Sequence, residues 1–431
     1  MNQTPLPPTF FQKNRKAFCD MMQPNSVAII ASNDMMPTNA DGTMGYIQNN
    51  DLLYLSGIEQ EETVLAMYPN AYKEEEREIL FIRRSSEELS TWDGDKLTKE
   101  KASKLSGIET VIWVDELEKN LDYFVFEADT IYLGHNEHKK RTTRDLQTRQ
   151  DRLIQRIMQI YPLHKYERAA KITRHLRPIK SREEVALTQC AADIGIQAFH
   201  RILKMVKPGV LEYEIDAEIH HEILKNGGLR HAFHPIVAGG KNACVLHYNQ
   251  NDQMLKDGEM VLLDFGACYG NYNSDTTRCF PVNGRFTKRQ KEVYTAVLHC
   301  LREGSKLLMP GASHADYEES MAKLIEEQLV NLGLLSMADI NNQDPKKPAY
   351  KKYFMHGTAH HLGLDVHDVG LYQRPIEAGM IFTCEPGIYI REEGLGCRLE
   401  DDFLITENGN NNLTENMPIE IEEIENLMTV A

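Results

Sequence analysis

The chain has 431 residues, a hydrophobic content of 42% and a formal net charge of −16. That length suits two or three domains with full cores. The acidic balance excludes the basic face that a nucleic-acid partner requires, and no apolar run approaches the ~20 residues that span a bilayer. The N-terminal stretch MNQTPLPPTFFQKNRK lacks the basic-then-apolar order of a secretion signal. The eight cysteines are scattered, with no C-x-x-C pair. Thiols used this way belong in a reducing compartment, so a cytoplasmic protein is expected, with neither nucleic acid nor membrane among its partners.

Residues 1–165 read as a self-contained α/β domain. Ser26–Ala31, Thr63–Met67, Glu78–Ile82, Val111–Val114 and Thr130–Leu133 are short β-type runs, separated by charged, helix-like segments such as 84–105. Glu74–Glu78 is expected to be a solvated face, and Trp92 and Trp113 to pack in a core. No G-x-G-x-x-G follows any of these strands, so a dinucleotide site has no support.

Residues 149–171 are basic with helical spacing and read as the connection to a second domain, 166–431. Ser181 with Glu184 forms a capping box that opens a helix running to about Val206, where Pro208-Gly209 stops it. The chain then repeats itself. One half runs from the Ser181 cap through Lys207-Pro-Gly209, Tyr213 and Gly227-Gly228 to strands at Val237 and Val245–His247. The other runs from the Thr287…Gln290 cap through Met309-Pro-Gly311, Tyr317 and Gly333 to strands after Phe354. Two helix-helix-strand halves predict a pseudo-symmetric α+β domain. Residues 336–352 are polar and are expected to form a surface insertion.

Between the halves lies Met260–Arg278, which reads as a β-hairpin turning at Gly270-Asn271. A two-residue turn sets Asp264 opposite Thr277 and puts Asp275 on the same face, diagonal to Asp264. Diagonal neighbours lie ~7–8 Å apart, so both carboxylates reach one site. An aspartate inside an apolar strand is costly unless its charge is compensated. Three later segments offer matching groups: His356–Gly370, with His360, His361 and His367; Phe382–Ile390, with Glu385; and Gly396–Thr406, with Arg398 and Glu400.

Together the hairpin and these segments supply four carboxylates and one imidazole. Four crowded carboxylates cannot all ionise without strong compensation, and two divalent cations supply the matching charge, as in two-metal hydrolases. Hard, oxygen-rich ligands suit manganese, cobalt or similar ions better than a cysteine-based structural zinc site. Rival constellations fail: His221-Glu222 is followed by Lys225 where a zinc-protease helix needs histidine, and no G-x-S-x-G is present. Cys384 sits in a β-type run and is expected to be packed rather than nucleophilic.

These residues resemble the pita-bread metallopeptidases, specifically the Xaa-Pro aminopeptidases. The likeness also covers Tyr46–Gly57 in the first domain and the tail Ile421–Met428. It implies an N-terminal α/β domain of the creatinase-N type followed by an α+β pita-bread catalytic domain. It implies two divalent metal ions, manganese foremost with cobalt or zinc possible, held by Asp264, Asp275, His360, Glu385 and Glu400, with Asp275 and Glu400 bridging. Glu385 is implied as general base, and His247 and His367 as contacts to substrate and tetrahedral intermediate. His356 falls beside a proline pocket, and Arg398 and Tyr389 orient the inner carboxylates. Expected substrates are peptides with proline at position two, cleaved before that proline; the expected assembly is a homodimer or homotetramer. The runner-up is a prolidase, confined to Xaa-Pro dipeptides. A methionine aminopeptidase would leave the first domain unexplained, and a non-catalytic binding protein on this scaffold would have lost ligands that are all present.

Overall fold

The computed structural model describes residues 6–138 and 145–429, so the first five residues of the N-terminal stretch lie outside it. The chain divides into two compact units between Arg177 and Pro178, beyond the boundary expected at residue 165. The reason is local. The basic segment is a helix only over Arg149–Ile160; Lys165–Arg168 is a strand, paired in parallel with Thr130–Leu133, and Ala170–Leu176 is a further helix. Lys165–Arg168 is an edge strand with exposed ends and no apolar alternation, so its sequence carries no period-2 signal. Arg177 is buried and bonds Asp51 at 2.8 Å, which ties the end of this run to the N-terminal unit.

The N-terminal unit is built on a six-stranded sheet ordered Thr110–Trp113, Glu78–Ile82, Val64–Met67, Ser26–Ala31, Thr130–Leu133, Lys165–Arg168. Five of these were expected from β-branched content, and the central Ser26–Ala31 is buried at every position. Segment 84–105 is two helices, Glu87–Asp93 and Lys99–Ser106, interrupted at Gly94. Glu78 is not merely solvated, since it bonds the fully buried Arg15 at 2.8 Å. Neither tryptophan joins the core: Trp92 is 82% exposed, and Trp113 carries the cations of Arg84 and Lys99 on its ring. A ring that serves as a cation platform keeps one face open to those charges, and Trp113 is half-buried.

In the second unit both capping boxes form, opening helices Arg182–Met205 and Lys288–Leu307. Each leads through a glycine of positive φ, Gly209 or Gly311, into a second helix, Glu212–Lys225 or His314–Asn331. The repeat is therefore real at the level of helices. It loosens elsewhere, because Tyr317 is buried while Tyr213 is 53% exposed. Val245–His247 is a turn after the 3-10 helix Gly240–Cys244, and no named strand follows Phe354 until Ile381–Cys384. Three apolar or aromatic residues in a row do not distinguish a strand from a buried turn. Residues 336–352 are largely exposed, with a short α-helix at Met337–Asn341 and a 3-10 helix at Ala349–Lys352.

The hairpin keeps the register expected of it. Tyr269 faces Tyr272, Thr277 faces Asp264, and Ile236–Gly239 pairs along the other edge of Met260–Phe265. Gly270 and Asn271 both have positive φ, the geometry that matches strand twist. An isolated bridge between Thr277 and Glu400 joins this sheet to the strand Asp401–Thr406, which pairs with Ile381–Cys384. The candidate ligands meet along that seam. Gly266 is required there, since a Cβ would lie 1.9 Å from the Ser274 carbonyl oxygen. Gly266→Ala is expected to cost about 2–3 kcal/mol in stability, read by chemical denaturation, because backbone rather than a yielding side chain must move.

Candidate metal centre

Hairpin register and strand alternation aim the carboxylates. The peptide N–H of Asp275 donates to Asp402 Oδ2 at 3.0 Å rather than to a ladder partner. In the run Glu400-Asp401-Asp402, alternate residues face opposite ways. Glu400 and Asp402 turn toward the hairpin, whereas Asp401 turns away and meets the buried Arg278 at 2.6 Å. Arg278 also donates to the carbonyls of Thr277 and Glu400, holding the two strands together from behind.

His360 is fixed through its backbone. Its N–H donates to Thr383 Oγ1, and its carbonyl accepts from the Thr383 N–H. The ring Nδ1 lies 3.0 Å from the carbonyl of His361. A carbonyl only accepts, so Nδ1 carries the proton and Nε2 presents its lone pair. That lone pair faces Asp275 Oδ2 at 3.5 Å and Glu385 Oε1 at 3.7 Å.

A second chain of hydrogen bonds runs behind the carboxylates. Arg398 Nη2 donates to Asp264 Oδ2 at 2.5 Å, its Nη1 to Tyr389 Oη at 2.7 Å, and its Nε to Thr277 Oγ1 at 3.1 Å. Thr277 Oγ1 in turn donates to Glu400 Oε2 at 2.7 Å. Arg398 thus orients Asp264 directly and Glu400 through one hydroxyl. His356 Nδ1 faces the Gly357 carbonyl at 2.7 Å and so carries the proton; its Nε2 accepts from Tyr389 Oη at 2.8 Å. The same Nδ1 lies 3.4 Å from Glu385 Oε2. The His367 ring meets the His360 ring edge-on, with centroids 4.4 Å apart.

Ligand atoms of Asp275, His360 and Glu400 all lie within 4.8 Å of one another, and Glu385 approaches through His360. Asp264 Oδ1 and Asp402 Oδ1 are buried and have no hydrogen-bond partner among the described residues. His247 stands apart: it is exposed in the turn after Gly240–Cys244, and no hydrogen bond among the described residues joins it to the other candidates. Thr277, Thr383 and Asp402 were not singled out from sequence. Thr277 was within reach, since the hairpin register names it as the partner of Asp264; Thr383 and Asp402 become visible only when separate strands meet.

The electrostatics follow from this crowding. Burial first, and then Asp264, Asp402 and Glu385, push Asp275 well above the usual carboxylate range. Burial, then Asp275, Glu385 and Asp264, do the same to Glu400. Asp264 is also raised by burial, against the opposing charge of Arg398. Glu385 alone goes the other way: burial raises it, but the hydrogen bond and charge of His356, with His360 and Arg398, hold it at about 2. Cys384 is buried, accepts a hydrogen bond from Tyr317 Oη and is pushed up by burial, so it is a packed thiol and no nucleophile.

The donor set fits divalent metal. It is carboxylate oxygen plus one imidazole nitrogen, the oxygens are short of hydrogen-bond donors, and the trio is close enough for a shared ion, whose bonds would be about 2.0–2.6 Å. Fold and site together define a metal-dependent hydrolase with an acidic centre between two pseudo-symmetric halves.

Comparison with known proteins narrows that class. Residues 186–407 match the model of metallopeptidase family M24, and residues 11–132 match that of the aminopeptidase P N-terminal domain. The chain belongs to metallopeptidase family M24. It is 34% identical to the Xaa-Pro aminopeptidase of Escherichia coli K12, over 98% of each chain. Among solved structures it is similar to aminopeptidase PepP of Pseudomonas aeruginosa, with a TM-score of 0.89, 32% identity and 99% of each chain covered. Zinc-substituted E. coli aminopeptidase P in complex with product is similar at a TM-score of 0.88 and 32% identity, again over 99% of each chain. The expected fold, an α/β N-terminal domain followed by a pita-bread catalytic domain, is the one present.

A pH dependence follows. Asp275 and Glu400 hold protons more tightly in the folded protein than in the unfolded chain, so folding binds protons and stability falls as pH rises. Their contribution is complete below the unfolded carboxylate pKa of about 4 and is lost as pH climbs through the raised folded values. Chelator-treated protein is therefore expected to gain more in melting temperature from added manganese at pH 8 than at pH 5. An equal gain at both, by differential scanning fluorimetry, would contradict the crowded-carboxylate account.

Proposed function

We infer that this chain removes the N-terminal residue from peptides whose second residue is proline, cutting the bond before that proline. The observation that carries the reading is the buried cluster of Asp275, His360 and Glu400, backed by Glu385 and oriented through Arg398. Full-length similarity to Xaa-Pro aminopeptidases favours that activity over a prolidase.

Asp264, Asp275, His360, Glu385 and Glu400 would hold two divalent ions, with manganese the foremost choice and cobalt or zinc also suited to the ligands. When bound, such ions acidify water and polarise the scissile carbonyl. Glu385, ionised in this setting, takes a proton from the attacking water and delivers it to the leaving nitrogen. That delivery matters for proline, whose amide nitrogen carries no hydrogen and leaves as a secondary amine. Arg398 and Thr277 keep Asp264 and Glu400 turned inward, and Tyr389 holds His356 at the edge of the site. His367 and His247 contact substrate and intermediate, and the carboxylate-rich end receives the free amine. For His247 this role requires the exposed turn to close over the peptide.

None of the eight cysteines is in a disulfide and six are buried, which supports a cytoplasmic setting. A homodimer or homotetramer is the proposed assembly.

Asp275→Asn is expected to abolish turnover of Gly-Pro-Pro while the circular dichroism spectrum stays that of the wild type. Glu385→Gln should lower kcat by at least about a hundredfold. Gly-Pro-Pro is expected to be cut to Gly and Pro-Pro; cleavage of Gly-Pro with Gly-Pro-Pro untouched would instead identify a prolidase.

A further inference from the structure

One buried ion pair close to the centre has no part in the chemistry above. Lys180 Nζ and Asp368 Oδ2 lie 2.9 Å apart, and each side chain is 1% exposed. A buried pair of this kind is a weak source of stability against apolar residues of similar volume, so its presence calls for another reason.

The neighbouring backbone supplies that reason. Residues 356–370 form no named strand or helix, yet they carry His360 and His367. The near end of this segment is secured by sheet contacts: His360 to Thr383, and the Leu362 N–H to the Ile381 carbonyl. The Asn273 side chain holds the middle, donating to the carbonyls of Gly363 and Leu364. The far end returns through the Asp368 N–H, which donates to the His361 carbonyl at 2.8 Å. Lys180 is itself anchored, because its N–H donates to the Gly379 carbonyl and the Gly379 N–H to that of Ile405. The fit is tight: a Cβ on Gly363 would lie 2.3 Å from Asp368 Oδ2 and 2.9 Å from Lys180 Cε.

We propose that the Lys180–Asp368 pair is a positioning device for His367, the residue preceding Asp368, and sets its ring edge-on against His360. His360 has its own anchor on Thr383, while its Nδ1 shares the His361 carbonyl with the Asp368 N–H, so manganese affinity is the readout that separates an effect on His367 from one on the ligand set. The inference rests on the proposed function.

The test measures kcat/KM on Gly-Pro-Pro for manganese-loaded wild type, Asp368→Asn, Lys180→Arg and the charge-free double variant Lys180→Met with Asp368→Leu. Each is repeated in a His367→Ala background. Manganese affinity is read by calorimetry on chelator-stripped protein, and folding by thermal melting. The double variant is expected to melt near wild type, to bind manganese within about threefold of it, and to lose at least about tenfold in kcat/KM. In the His367→Ala background the same change should cost nothing further, the signature of coupled residues. Lys180→Arg should retain most activity, and Asp368→Asn gives the same pattern of coupling should the double variant not fold. Wild-type kcat/KM in the double variant, a loss that persists undiminished without His367, or a parallel loss of manganese affinity would overturn the proposal. A wild type that leaves Gly-Pro-Pro intact would overturn the proposed function and this inference with it.

Discussion

Mutual repulsion among buried carboxylates governs the second half of this molecule. Asp264 and Asp275 come from one hairpin, and Glu385, Glu400 and Asp402 from the paired strands Ile381–Cys384 and Asp401–Thr406 and their ends; each is at least partly withdrawn from water. Two like charges 4 Å apart cost about 4 kcal/mol at an effective dielectric of 20. Arg398, whose guanidinium pairs with Asp264 at the cluster's edge, cannot offset several such pairs. Asp275 and Glu400 answer the crowding by holding protons more tightly, and a bound metal ion would relieve it in their place. The protein thus holds a centre that its own side chains leave short of positive charge, which is the condition for binding metal tightly.

The surrounding residues make that crowding usable. Backbone carbonyls choose the tautomers of His360 and His356, so one imidazole offers a lone pair inward and the other accepts from Tyr389. Thr277 links Arg398 to Glu400, and the bridge between their strands brings the two halves of the unit together at the same point. Arg278 and Asp401 repeat the arrangement on the opposite face, where it serves only to bind strands. One acidic run, Glu400–Asp402, supplies both faces because strand side chains alternate.

Much of this was legible residue by residue. The Gly270-Asn271 turn specifies the register, and the register alone places Asp264 against Thr277 with Asp275 beside them. Both capping boxes announce their helices, since a hydroxyl and a carboxamide or carboxylate three residues on satisfy each other's backbone partners. Lys165–Arg168 was illegible because an exposed edge strand needs no apolar face. Trp113 misled because aromatic surface is a core signal until a cation claims it, and Trp92 is simply exposed. His247 lies in a turn whose residues look like a strand, and its exposure could not be read from three neighbours.

By itself the sequence determined the local pieces: five of the six strands of the first unit's sheet, the paired helices of the second, the hairpin register and the types of ligand available. These depend on neighbours within a few residues, where periodicity, capping and turn preference act. Only the tertiary structure decided that Glu400, His360 and Glu385 come to Asp275, that Thr277 and Thr383 brace them, and that Lys180 is buried on Asp368. Those meetings join segments more than a hundred positions apart in several cases, and their energy comes from burial and charge compensation that no single stretch of chain contains.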